Sequence, residues 1–265
     1  MKTLLRFLAA ALAALLMLAG CDRGIRTATA SHSGSTPYSE GSDIAYSYSY
    51  SMEYLTGGLP QEVVDRINAT IIRRDILFAE EDSDIGSDVR AACRLWEERG
   101  IAGYLSDAGE MMDEFDGEDS YMFNWESGID GSFLPYDKSR GLLTYRCCSN
   151  DYMGGAHGMY GENYTVFDTE TGAVVTEEDL FDGDWEDALD DLLADRALED
   201  YAKLAEEEDV DMDDIFFASP YPNGNFSVEK DGITWHYNPY DIAPFAFGVI
   251  EITLGWKELA PLMSR

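Results

Sequence analysis

Basic residues are scarce. The 265-residue chain carries 18 Lys and Arg against 52 Asp and Glu, a formal net charge of −34. Nucleic-acid binders neutralise phosphates with basic patches, so no nucleic-acid partner is expected. Cysteine is scarce too, with four in all, one of them at position 21. The other three, Cys93, Cys147 and Cys148, are an odd number, so they cannot all pair within the chain. Cys147 and Cys148 are neighbours that face opposite sides of a strand, so at most one of them can reach Cys93. Neither stands at a zinc-binding spacing from His157, and no metal or other cofactor is expected. Only three histidines exist, His32, His157 and His236, which limits the bases open to acid–base chemistry. There is no G-x-S-x-G elbow, no P-loop and no dinucleotide fingerprint. Past residue 20 no run is apolar enough to span a bilayer, and no repeat of fixed period occurs.

What is present begins with an address. Residues 1–20 have a charged start at Lys2 and Arg6 and an apolar run from Phe7 to Leu18, the pattern of a secretory signal. Leu18-Ala19-Gly20-Cys21 looks like a bacterial lipobox, which makes Cys21 the lipidated first residue of the mature chain. Acyl chains such as palmitate would then hold the protein to the bilayer, in the cell envelope and outside the cytoplasm. Residues 21–43 are rich in Ser, Thr and Gly and read as a flexible tether.

The folded part reads as α+β, with antiparallel sheets, helices packed on one face, and two closely joined domains at 44–165 and 166–265. Tyr46, Tyr48, Tyr50 and Met52 alternate with polar residues, so Ile44 to Tyr54 is a strand with an aromatic face that packs on a helix. Val63, Val64, Ile67 and Ile71 give a helical stripe over 60–78. Residues 88–114 read as one or two helices, and 121–132 and 142–150 as strands. Asp168 to Gly172 is a turn between strands, and a helix over 185–207 presents Leu189, Leu192, Leu193 and Tyr201. Asp231-Gly232 marks a second hairpin, followed by a loop at Asn238 to Pro244, a strand at 247–254 and a short closing helix. Asp209, Asp211 and Asp213 imitate the start of a calcium loop, but Asp214 and Pro220 occupy the positions of its glycine and closing glutamate.

The stretch from Tyr152 to Phe181 organises these elements. Gly154-Gly155 frees the backbone ahead of His157, either as a β-bulge that re-aims the histidine or as a plain loop. Gly-Gly-Ala-His-Gly at 154–158, Phe-Asp-Thr-Glu-Thr-Gly at 167–172 and Asn-Pro-Tyr-Asp-Ile-Ala-Pro at 238–244 together resemble a bacterial extracytoplasmic domain of RsiV/PdaC type. That domain forms the outer part of the anti-sigma factor RsiV and accompanies the catalytic domain of the peptidoglycan deacetylase PdaC. The front half is similar to the partner domain that usually precedes it. Neither the deacetylase motifs nor a sigma-binding segment is seen, so neither activity is implied. The resemblance implies a non-catalytic, ligand-binding envelope lipoprotein that recognises peptidoglycan or a basic lysozyme-like protein. The residues expected to face the ligand are Tyr152, Gly154, Gly155, His157, Tyr237 and Tyr240. The alternatives are an envelope hydrolase that pairs His157 with a carboxylate such as Asp168, and a purely structural lipoprotein.

Overall fold

The computed structural model describes residues 24–80, 86–114, 120–136, 138–208, 211 and 215–263. The signal segment, Cys21 and positions 209, 210 and 212–214, which include three of the aspartates of the calcium-loop imitation, lie outside the described residues.

A six-stranded sheet dominates, in the order β1-β2-β3-β4-β5-β6. Its strands are β1 (Arg26–Pro37), β2 (Ala45–Gly57), β3 (Trp125–Phe133), β4 (Leu142–Tyr152), β5 (Met159–Asp168) and β6 (Val174–Val175). The tyrosine alternation works as expected. Tyr46 and Tyr50 turn inward on β2, while Ser47 and Ser49 stay exposed on the other face. Helices α1 (Gln61–Ile71) and α2 (Val89–Glu114) cover the tyrosine face. Tyr46 stacks on Tyr104 of α2 at 5.5 Å, and Tyr50 meets Trp96 edge-on at 6.3 Å. Both helices lie within the connection from β2 to β3, which run parallel. A parallel pair needs such a crossover; the remaining pairs are antiparallel, as expected.

The expected tether at 21–43 needs correction. Residues 26–37 are a strand, paired with β2 from Arg26 opposite Gly57 to Pro37 opposite Ala45. It is an edge strand open to solvent on one face, so it needs few large apolar residues. Its Thr and Ser composition therefore resembled a linker, although Ala30 is buried and Ala28, Gly34 and Thr36 are half-buried.

A short helix α3 (Glu177–Leu180) and a long one, α4 (Trp185–Glu208), follow the large sheet. A second, three-stranded antiparallel sheet comes next: β7 (Phe226–Val228), β8 (Gly232–Tyr237) and β9 (Ile250–Gly255). A closing turn of helix, α5 (Trp256–Leu259), ends the ordered elements. The small sheet packs on β4 and β5, on the face away from α1 and α2, and α4 covers β9. Two large cores result. One, with Ile67, Ile71, Tyr145 and Phe167, lies under α1 and α2, and the other, with Val166, Leu189, Trp235 and Ile252, lies around the small sheet. The expected break at 165/166 falls inside β5, so both halves of the chain share that strand.

Two asparagines join the sheets. Asn238 Oδ1 accepts from Glu162 N at 2.7 Å, and its Nδ2 donates to Glu162 O at 3.1 Å. Asn225 Oδ1 accepts from Tyr164 N at 2.7 Å, and its Nδ2 donates to Glu162 O at 2.9 Å and His236 O at 3.0 Å. Removing either amide strands backbone groups whose desolvation costs about 1–3 kcal/mol each. Asn225→Ala and Asn238→Ala are each expected to lose about 2–4 kcal/mol of stability in urea denaturation. A loss below about 0.5 kcal/mol, the ordinary range for a surface substitution, would contradict the joint.

Candidate functional site

The Gly154-Gly155 pair sits in the turn between β4 and β5, with φ of 86° and 96°. It is a connecting loop and not a bulge within a strand. A Cβ on Gly154 would lie 2.7 Å from the Met122 carbonyl oxygen, so only glycine fits that approach. Tyr152 closes the loop by donating its hydroxyl to Gly155 O at 3.1 Å. His157 Nδ1 is 2.8 Å from Gly158 O, and its ring stacks on Phe245 at 4.3 Å. Phe245 also meets Tyr160 at 5.4 Å and Tyr240 at 5.7 Å. Two distant segments thus form one exposed aromatic cluster, flanked by the exposed Met153 and Met159.

Tyr240 arrives through a tight turn. Pro239 and Tyr240 are its central residues, and Asp241 N donates to Asn238 O at 2.9 Å. Asn238 N in turn donates to Asp241 Oδ2 at 2.7 Å. Tyr240 has φ of 74°, a left-handed conformation that a tyrosine rarely adopts and that gathers at functional sites. The turn holds the ring half-exposed, at 51%.

Tyr237 does not join this cluster. It is fully buried in β8 and donates its hydroxyl to Tyr221 O at 2.7 Å. Every residue of β8 is buried, so alternation along that strand does not distinguish an outer face.

Beside the cluster the large sheet shows its uncovered face. One row across the strands reads Ser31, Ser51, Asp130, Cys148, Glu162, and the next reads Ser33, Ser49, Gly128, Asn150, Tyr160. These short polar side chains floor an open groove of about 530 Å³. Tyr160 belongs both to the groove and to the aromatic cluster. Cys148 lies on this face and Cys147 on the helix side, opposed as expected, and all three described cysteines are free thiols.

At the groove's inner end the two sheets meet in a polar seam that the sequence did not announce. Arg146 grips Glu162 with Nε and Nη2, and Tyr164 donates its hydroxyl to Glu162 Oε2 at 2.8 Å. Burial works against the Glu162 carboxylate, yet Arg146 and Tyr164 hold its pKa below the usual range. The Tyr164 ring lies flat on His236, 3.6 Å between centroids and 9° between planes. His236 Nε2 is 2.9 Å from Ser227 Oγ, and Nδ1 is 3.3 Å from Glu251 Oε1. Burial pushes the His236 imidazole down to about 4. Serine, histidine and glutamate here follow the order of a nucleophile, a base and an orienting acid. Ser227 is wholly buried, however, and donates to Glu229 Oε1 at 3.1 Å, so no substrate reaches it.

The pairing of His157 with Asp168 is not assembled. His157 precedes β5 and Asp168 ends it, so the whole ten-residue strand separates them. Asp168 Oδ1 is occupied by Glu170 N, Thr171 N and Thr171 Oγ1, which makes it the organiser of the β5–β6 turn.

Residues 178–257 match a family described as Protein of unknown function (DUF3298). That stretch contains α4, the small sheet and the Asn238–Asp241 turn, but not the Gly154-Gly155 loop. Two solved structures of DUF3298 family proteins are similar over nearly their whole length. One, from Bacteroides fragilis NCTC 9343, has a TM-score of 0.76 at 24% identity, covering 91% of this chain and 94% of that one. The other, from Pseudomonas aeruginosa PAO1, has a TM-score of 0.59 at 19% identity, covering 92% and 97%. No curated protein matches the chain. At these identities the likeness speaks to the α+β fold and not to a ligand.

Beneath the same strands, on the helix side, Asp75 is 2% exposed and neither carboxylate oxygen has a hydrogen-bond partner. Burial pushes its carboxyl up to about 7, against the opposing pull of Arg74. A pKa higher in the folded than in the unfolded chain favours folding fully below about 3.8, and that contribution is lost as pH rises through about 7. Asp75→Asn is therefore expected to change stability little at pH 4 and to add about 2–4 kcal/mol at pH 8. Urea denaturation across that range checks this, and a gain independent of pH would contradict it.

Proposed function

We propose that this chain is a cell-envelope lipoprotein of non-catalytic, ligand-binding type, and that it recognises a peptidoglycan-type sugar chain. The observation that carries the reading is the meeting of the Tyr160, Tyr240, Phe245 and His157 cluster with the serine-floored groove. A sugar ring has apolar faces and hydroxyl edges. Aromatic rings accept the faces, and Ser, Asn and Asp side chains bond the edges. The groove's volume lies within the range of small-molecule sites. The resemblance of the Gly154–Gly158 and Asn238–Pro244 motifs to the RsiV/PdaC-type domain supports an envelope ligand, and the lipobox-like run before Cys21 supports a bilayer anchor. A second reading, a basic lysozyme-like protein as the partner, is favoured by the net charge of −34, which steers cationic partners to the surface.

Calorimetric titration with soluble peptidoglycan fragments and with lysozyme, in low and high salt, separates the two. A glycan ligand is expected to bind with little salt dependence. Tyr240→Ala should weaken it about fivefold, the worth of one stacking contact near 1 kcal/mol, and leave the thermal midpoint unchanged. Binding of lysozyme alone, collapsing with salt, would select the second reading. Binding of neither would overturn both.

The anchor is tested separately. Cys21→Ser is expected to abolish incorporation of labelled palmitate and release the protein from the membrane fraction. Label retained in that variant, or membrane attachment unchanged, would contradict the lipoprotein assignment.

A further inference from the structure

We propose that Glu162, His236 and Glu251 form a binding site for a divalent transition-metal ion of zinc type at the seam between the two sheets. One ligand atom from each lies within 4.8 Å of the other two. The set is distinct from the cysteines and His157 that sequence spacing excluded.

The histidine supplies the strongest argument. Ser227 has one hydroxyl proton, and that proton goes to Glu229 Oε1. Toward His236 the Ser227 oxygen is therefore an acceptor, and the imidazole proton sits on Nε2. Nδ1 is left with a bare lone pair. His236 is 2% exposed, and Nδ1 has no hydrogen-bond partner among the described residues. It faces Glu251 Oε1 at 3.3 Å, lone pair against carboxylate. Two such atoms repel unless a cation lies between them. A separation of 3.3 Å is close to the edge of a tetrahedron with bonds of about 2.0–2.1 Å to a central zinc.

The surroundings are those of a supported ligand set. A metal-bound imidazole donates its other ring N–H to an outer partner, and Ser227 accepts it here. Tyr164 fixes the plane of His236 from above and bonds Glu162 with its hydroxyl. Arg146 also orients Glu162, whose Oε2 is filled by Arg146 Nε and the Tyr164 hydroxyl and whose Oε1, taking only Arg146 Nη2, keeps a lone pair to spare. Glu251 feels the negative charges of Glu162 and Glu229 against the positive charge of Arg146, an excess of negative charge that suits a divalent ion. The Glu251 side chain is 60% exposed, so it can close on an ion and leave an open side for water. One imidazole nitrogen with two carboxylates favours zinc or a neighbouring first-row metal over magnesium and calcium, which prefer oxygen alone.

The test is calorimetric titration of Zn²⁺ into the metal-stripped full chain at pH 7, with Co²⁺ absorption as a second readout. One saturable site is expected, undisturbed by a tenfold excess of Mg²⁺, with a visible Co²⁺ band of low-symmetry N/O coordination. Glu251→Gln should weaken Zn²⁺ at least tenfold without moving the metal-free thermal midpoint, because that side chain is exposed. Glu170→Gln, an equal loss of charge in the β5–β6 turn, should leave the affinity unchanged. The absence of a saturable site overturns the proposal. So does binding that Glu251→Gln leaves intact, or that Glu170→Gln weakens equally, which marks diffuse attraction to an acidic surface.

Discussion

Between Gly161 and Thr165 the outer edge of β5 has no strand beside it, and two asparagine side chains take a strand's place. Asn238 meets the amide and carbonyl of Glu162, and Asn225 meets the amide of Tyr164 and shares the Glu162 carbonyl. Unpaired backbone groups at a buried edge are costly, so this substitution for a ladder decides whether the small sheet can dock. Asn68 of α1 plays the same part for Leu55 on β2, accepting from its amide at 3.0 Å and donating to its carbonyl at 2.9 Å. A primary amide presents a donor and an acceptor side by side, as a peptide group does, which is why asparagine recurs at all three points.

The position of every candidate group follows from that joint. With Asn238 held on Glu162, the turn at Pro239 and Tyr240 lies beside the β4–β5 loop, and Phe245 comes under His157. With Asn225 held on Tyr164, His236 lies flat on the tyrosine ring and Glu251 comes near Glu162. The groove needs no loop to define it. Its floor is the solvent face of a sheet whose other face is fixed by tyrosines packed on α2, so the serines and carboxylates stand on a rigid support. The acidic surface then biases which molecules approach, while the aromatic cluster and the seam decide what stays.

The elements with a clean period were legible in the chain. The tyrosine strand, the stripes of α1 and α4, the Asp168 turn and the Asp231-Gly232 hairpin all reflect alternation or helical spacing that burial enforces. β1 was hidden because an edge strand with one open face needs little apolar surface, so Thr and Ser alone could make it. Tyr237 was misread because β8 is buried on both faces, which erases the polar alternation that marks an outward side chain. The aromatic cluster was half legible. Gly154, His157 and Tyr240 stood out locally, but Phe245 and Tyr160 join them only through contacts between distant segments. The seam was invisible, since Arg146, Glu162, Ser227, His236 and Glu251 come from five strands and follow no local spacing.

Native-state hydrogen exchange at the amides of Glu162 and Tyr164 tests the joint most directly. Both lie on the free side of β5 and owe their protection to the side chains of Asn238 and Asn225 rather than to a neighbouring strand. The account predicts that both exchange only with global unfolding, alongside the amide of Phe167 in the paired part of the strand. Exchange of Glu162 and Tyr164 at the rate of an open sheet edge, with Phe167 still protected, would contradict it.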